Sequence, residues 1–336
     1  MDYSPTELAK INECLQALAK IQLFFRENYG VNDIFSNSKF YEMIIANQLG
    51  HLPIPGHSGS RDAKDESGHE IEYKHFKESS SNHSWTFNDF SENLISHMHE
   101  YSFVFSHIDD ENYKYPGIMD WYYIVDGAIM EKYLSAATQK IQNSRKMINV
   151  SPKQLESLGI CKQYANINTA KSYEGIFKNQ LLSISDISEH LEKLTGVDKI
   201  LTSNKLYELL VALELNHKVN PENGGRSGAH DAEDKFGNTY EYKVYKTRTW
   251  NFQDISDAVL SKYLLDKKII LALVDKENLQ ITEIYSANPS EIVPILKAKL
   301  EAKAKSWAAR GKKLPRKQIS LSYSDVKSLN SFKREY

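Results

Sequence analysis

An internal repeat constrains this chain more than any other feature. Gly30-Val31-Asn32-Asp33-Ile34 is echoed by Gly196-Val197-Asp198-Lys199-Ile200, and Lys39-Phe40-Tyr41-Glu42 by Lys205-Leu206-Tyr207-Glu208, both at an offset of 166. Further on, DAKDESGHEIEYKHFK at 62–77 aligns without a gap with DAEDKFGNTYEYKVYK at 231–246, eight identities in sixteen positions at an offset of 169. The match continues through Trp85-Thr86-Phe87 and Trp250-Asn251-Phe252, then through an apolar run and a basic tail in each half. A period of about 168 residues is a duplicated domain and not a solenoid, whose units are several-fold shorter. The length agrees, since 336 residues at 41% hydrophobic suffice for two cores of ordinary size. The polar stretch Asn166 to Ser172 interrupts apolar periodicity and sets the expected domains at 1–165 and 175–336.

Within each copy the pattern predicts helix, hairpin, helix, strand. Leu8, Ile11, Leu15, Leu18 and Ile21 recur at helical spacing in the first copy, and Leu206, Leu209, Leu210 and Leu213 in the second. Asp65-x-x-Gly68 and Asp234-x-x-Gly237 put Asp at the start of a type I turn and a glycine at its end, so a β-hairpin is expected around each. Asn88 to Ser91 and Gln253 to Ser256 supply N-cap candidates for the next helix. The runs 101–105 and 269–274 suit buried strands, which together gives an α/β layer arrangement.

Counting outward from a three-residue loop pairs Asp62 with Glu72 and Asp231 with Glu241, and strand alternation puts Lys74 and Lys243 on the same face. Directly opposed carboxylates destabilise a hairpin, so their recurrence in both copies points to a cation between them. Carboxylate oxygens suit Mg²⁺, which takes one or two of them and keeps several waters. Such a centre can polarise a phosphate and activate water, with the lysine orienting that water and offsetting developing charge.

The arrangement Asp62…Glu72-Tyr73-Lys74, repeated as Asp231…Glu241-Tyr242-Lys243, resembles the PD-(D/E)XK nuclease superfamily. The resemblance implies two tandem restriction-endonuclease-like domains, each a mixed central sheet flanked by helices. It implies that the Asp and Glu of each copy bind Mg²⁺ and the Lys assists the attacking water. An upstream helix in that superfamily often contributes a further acid, and Glu42 and Glu208 occupy that place. Neither copy has Pro before its Asp; Arg61 and His230 stand there instead. Asp65 and Asp234, seven residues before the Glu, form an alternative that the superfamily's spacing also allows. Pairing geometry selects Asp62 and Asp231, while turn chemistry accounts for the other two.

A type II restriction endonuclease is the closest expectation: a single chain acting as an internal pseudo-dimer, cutting both strands of double-stranded DNA at a palindromic or near-palindromic site. A structure-specific repair nuclease, or a non-catalytic DNA-binding protein with ordinary ion pairs, are the alternatives. The net charge of −2 and pI near 6.6 require DNA to be held by local basic patches. Arg61, Arg226, Arg248, Lys312, Lys313 and Arg316 are the candidates; the last three belong to a run from Lys297 to Lys317 that holds nine cations against Glu301 alone. Trp85, Trp250, Phe87 and Phe252 are expected in the core before they are expected on bases. The cysteines, Cys14 and Cys161, support neither a disulfide framework nor a zinc site. With no signal-like N-terminus and no membrane-length apolar run, a cytoplasmic location is expected.

Overall fold

The computed structural model describes residues 3–35, 37–55, 61–88, 92–113, 117–139, 147–165, 175–201, 204–221, 230–311 and 317–336. The first copy runs α1 (Pro5–Tyr29), α2 (Asn37–Leu49), β1 (Leu52–Pro53), β2 (Ala63–Lys64), β3 (Glu70–Lys77), β4 (Trp85–Phe87), α3 (Glu92–Ser96), β5 (Ser102–Asp109), β6 (Ile118–Asp126), α4 (Gly127–Thr138), β7 (Ile148–Val150), α5 (Pro152–Ser157) and β8 (Gln163–Tyr164). The second runs α6 (Gly175–Thr195), α7 (Lys205–Glu214), β9 (Lys218–Val219), β10 (Ala232–Glu233), β11 (Thr239–Tyr245), β12 (Thr249–Phe252), α8 (Asp257–Tyr263), β13 (Lys268–Asp275), β14 (Gln280–Ala287), α9 (Pro289–Ala308), β15 (Ile319–Ser322), α10 (Tyr323–Val326) and β16 (Lys333–Arg334).

Each copy builds a mixed six-stranded sheet of the same design, flanked by helices. The order is β1-β2-β3-β5-β6-β8 in one and β9-β10-β11-β13-β14-β16 in the other. In both, an antiparallel hairpin is followed by one parallel pair, β3 with β5 and β11 with β13, and then by antiparallel strands. A register shift falls after His107 in β5 and after Leu273 in β13, which are equivalent positions. These are the two tandem α/β restriction-endonuclease-like sheets expected from the sequence.

The strand sequences explain the burial. In β11, Tyr240, Tyr242 and Val244 point into the core while Glu241, Lys243 and Tyr245 are half-buried on the other face, and β3 alternates likewise through Ile71, Tyr73, Glu72 and Lys74. The parallel neighbours, KIILALVD in β13 and SFVFSHID in β5, are buried on both faces along almost their whole length, with an unbroken apolar run at Ile269–Val274 and buried Ser106, His107 and Asp109 in β5. Trp85 and Trp250 are fully buried and donate their indole N–H to the carbonyls of Ser106 at 2.8 Å and Ala272 at 3.1 Å. Phe87 and Phe252 are buried beside them, so these four aromatics are core residues.

Two compact units form, and they do not follow the linear halves. One consists of Met1–Lys20 with His190–Tyr336, the other of Ile21–Glu189. Helices α1 and α6 are thus each divided between units. Ile11, Leu15 and Leu18 are buried, as their helical spacing requires. The second-copy leucines at 206–213 mark α7, the counterpart of α2; the counterpart of α1 is α6, which the apolar pattern did not single out. Among the described residues, no helix is long and apolar enough to cross a membrane.

Candidate active site

The hairpins carry the candidate residues in each unit. Asp65 N donates to His69 O at 3.1 Å and Gly68 N to Asp65 O at 3.0 Å, closing a three-residue loop in which Gly68 adopts φ +84°. Asp234, Asn238 and Gly237 repeat this, with Gly237 at φ +76°. The register Ala63↔Ile71 and Ala232↔Tyr240 then places Asp62 across from Glu72 and Asp231 across from Glu241.

Asp62 Oδ2 accepts from Tyr73 N at 2.7 Å, and Asp231 Oδ2 from Tyr242 N at 2.6 Å. These bonds fix each carboxylate on the neighbouring strand. Lys74 Nζ lies 2.6 Å from Glu72 Oε1, and Lys243 bonds Glu241 in the same way. Glu42 approaches from α2 and Glu208 from α7; both act on the charge of the nearby Asp. Glu42 Oε2 also has Lys39 Nζ at 2.6 Å, though outside hydrogen-bonding geometry.

Burial, reinforced by Glu42 and Glu72, pushes the Asp62 carboxyl well above the usual carboxylate range despite the Tyr73 amide and Lys74. Asp231 is raised likewise, by burial and then by Glu241 and Glu208. Burial pulls the Lys74 ammonium down, but Glu72, Asp62 and Glu42 outweigh it and the net shift is upward. For Lys243, Glu241, Tyr263 and Asp231 outweigh burial in the same sense. Each lysine is therefore held charged by the carboxylates around it.

Asp65 and Asp234 are engaged in the turns. Asp65 Oδ1 accepts from Ser67 N at 2.9 Å and His69 N at 3.0 Å; Asp234 accepts from Phe236 N, Asn238 and Tyr240 OH. Both carboxyls sit below the usual range; the Ser67 hydroxyl leads for Asp65, while for Asp234 the Asn238 and Tyr240 bonds outweigh an opposing burial effect.

Among the described residues no group of three or more His, Cys, Asp or Glu is tight enough to form a closed metal cage. The donor set nevertheless fits a hard divalent cation that keeps its waters. It consists of carboxylate oxygens, partly buried, whose mutual repulsion shows in the raised Asp62 and Asp231.

Of the predicted DNA-contacting residues, Arg61 lines a cleft of about 290 Å³ with Glu72, Lys74, Phe87 and Tyr101. Arg248 forks onto Glu283, with Nε 2.8 Å from Oε2, and lies over the Tyr323 ring, so its guanidinium is already engaged. Arg226, Lys312, Lys313 and Arg316 lie outside the described residues. In α9, Lys299 bonds Asp325 at 2.5 Å and Lys303 the carbonyl of Gln318 at 2.8 Å, so part of the basic run serves the fold.

Sequence reasoning missed a second duplicated pair. His51 Nδ1 meets Tyr73 OH at 2.8 Å with the rings stacked, and His217 Nδ1 meets Tyr242 OH at 2.7 Å. Each tyrosine sits between the catalytic-type Glu and Lys and points to the opposite face. The signal was present: His51 and His217 stand at the 166-residue offset, Tyr73 and Tyr242 at 169.

No curated protein matches the chain. A family model described as "Restriction endonuclease PvuII" matches residues 6–158, which contain the whole of the first site. Over residues 6–158, a little under half of its length, the chain is similar to the PvuII restriction endonuclease family, type II restriction endonucleases of the PD-(D/E)XK fold that hydrolyse phosphodiester bonds in DNA.

Proposed function

We propose that the copies 1–165 and 175–336 are two nuclease domains of one Mg²⁺-dependent enzyme, active as a monomer. It would cut both strands of duplex DNA at a palindromic or near-palindromic site, one active site per strand. The observation that supports this is the repetition of one constellation, Asp, Glu and Lys on a hairpin and its neighbouring strand, in two sheets of identical order. A lone Asp…Glu-x-Lys is an ordinary exposed strand pattern; two such sets, each with its Asp fixed by the same backbone amide, are not.

Asp62 and Glu72 with Glu42, and Asp231 and Glu241 with Glu208, would hold the cation, which when bound polarises the scissile phosphate and lowers the pKa of a water. Tyr73 N–H and Tyr242 N–H hold the Asp carboxylates in place. Lys74 and Lys243, kept charged, orient the attacking water by donating to it and offset the negative charge that gathers on the phosphate oxygens. Arg61 adds a second cation to the first cleft, suited to a phosphate oxygen.

The test is cleavage of supercoiled plasmid with Mg²⁺ by the wild type, Lys74→Ala, Lys243→Ala and the double variant. Discrete linear fragments from the wild type, nicked circles from each single variant and no product from the double variant are expected. Nicking of branched or mismatched substrates with plain duplex left intact would overturn the restriction-type reading.

A further inference from the structure

The two sites differ in the residue that precedes the first carboxylate, Arg61 in one and His230 in the other. The Arg61 guanidinium lies 3.4 Å from the centroid of the Tyr101 ring and 3.8 Å from Glu72 Oε2, while Lys74 takes Oε1. Both oxygens of Glu72 therefore face a cation. Glu241, among the described residues, has Lys243 as its cationic partner.

His230 is directed elsewhere. Its Nδ1 lies 2.6 Å from Oδ1 of Asp266, a carboxylate whose side chain is 1% exposed. Asp266 is close enough to Glu241 for the two charges to repel: burial first, and Glu241 as well, push its carboxyl upward against the pull of Thr239 and His230. Counted from the paired strands, with Ser102 opposite Ile71 and Lys268 opposite Tyr240, Asp266 stands where the first copy has Glu100. Glu100 is exposed and bonded to His97. Relative to the first site, the second has lost a guanidinium and gained a buried carboxylate.

We propose that the second site holds its divalent cation more tightly than the first, so that the two halves load in order as the metal concentration rises. The inference rests on the two-site, metal-dependent reading above. A divalent ion about 6 Å from a guanidinium, even with water-like screening, is repelled enough to lose about tenfold in affinity. The first site carries that penalty at Glu72. The second is spared it and gains attraction from Asp266, whose charge His230 offsets at most once.

The test is titration of the full chain with Mn²⁺ in the absence of DNA, reading free Mn²⁺ by electron paramagnetic resonance. Two classes separated by about tenfold or more are expected. Glu241→Gln should abolish the tight class and Glu72→Gln the weak one. Arg61→Ala and the length-conserving Arg61→Gln, checked for folding by circular dichroism, should tighten the weak class by about tenfold. Asp266→Asn should loosen the tight class. A single class of equal sites, loss of the tight class in Glu72→Gln, or no tightening in either folded Arg61 variant would overturn the inference and leave two metal sites standing. Mn²⁺ binding that neither Gln variant changes, or no saturable binding, would remove the metal-dependent reading itself.

Discussion

Replacing Asp62 by asparagine should make the metal-free protein more stable. Burial first, and then repulsion by Glu42 and by Glu72 across the hairpin, raises the Asp62 carboxyl. Two unit charges at the ~5 Å expected of an opposed pair repel by about 3 kcal/mol at an effective dielectric of ~20. The attraction of Lys74, lost at the same time, and partial screening reduce the net gain to about 1–2 kcal/mol. Asparagine keeps an oxygen for the Tyr73 amide, so the backbone tether survives.

The sign with pH follows from the direction of the shift. The fold holds the Asp62 proton more firmly than the unfolded chain does. The stability this provides is complete below the unfolded carboxylate range, near pH ~4, and is lost as pH rises through the raised folded value. Asp62→Asn removes that dependence. Mg²⁺ should reverse the ranking, stabilising the wild type by about 2.7 kcal/mol at a hundredfold excess over its dissociation constant and the variant far less. Urea unfolding, followed by tryptophan fluorescence at neutral and mildly acidic pH with and without Mg²⁺, measures all of this. A variant no more stable than the metal-free wild type, or equally stabilised by Mg²⁺, would refute the reasoning.

Asp65→Ala and Asp234→Ala together should leave plasmid cleavage within a few fold of wild type, while Asp62→Ala with Asp231→Ala should lower it by at least ~100-fold, in single-turnover assays. Tyr73→Phe leaves the half-buried His51 Nδ1 without its 2.8 Å partner and should cost about 1–2 kcal/mol in urea unfolding, with Tyr242→Phe matching it in the other unit. Gly127→Ala should destabilise the unit that contains it by about 3 kcal/mol or more, because a Cβ there would overlap the carbonyl oxygens of Met98 and Tyr101 at the start of α4; a melting temperature unchanged from wild type would contradict this.

The hairpin was legible because three local rules agree there. The Asp-x-x-Gly turn sets the loop length, the loop length sets the register, and alternation sets the face, so Asp62, Glu72 and Lys74 follow without tertiary information. The buried strand at 268–275 was legible from an unbroken apolar run. Ser256 was a correct cap, accepting from Val259 N at 3.3 Å; its counterparts at 89–91 lie outside the described residues. What periodicity could not give is the partner of an apolar face. It marks the buried side of α1 without saying that Met1–Lys20 joins the unit of the second copy. Charge patterns failed for a similar reason: Arg248 reads as a free cation until Glu283, thirty-five residues on, is seen to take it.

The division of α1 after Lys20 bears on the order in which the chain is made. Residues 1–20 leave the ribosome before the intervening unit does, yet they belong to the unit that is completed after it. The 169 intervening residues of Ile21–Glu189 come first. At about 5–20 residues per second that interval is roughly ten to thirty seconds, ample for the intervening unit to fold. Throughout it, the apolar stripe of Ile11, Leu15 and Leu18 waits uncovered. A chaperone that shields short amphipathic helices would find its substrate there, and a stop codon placed at the repeat boundary would leave that stripe permanently without its cover.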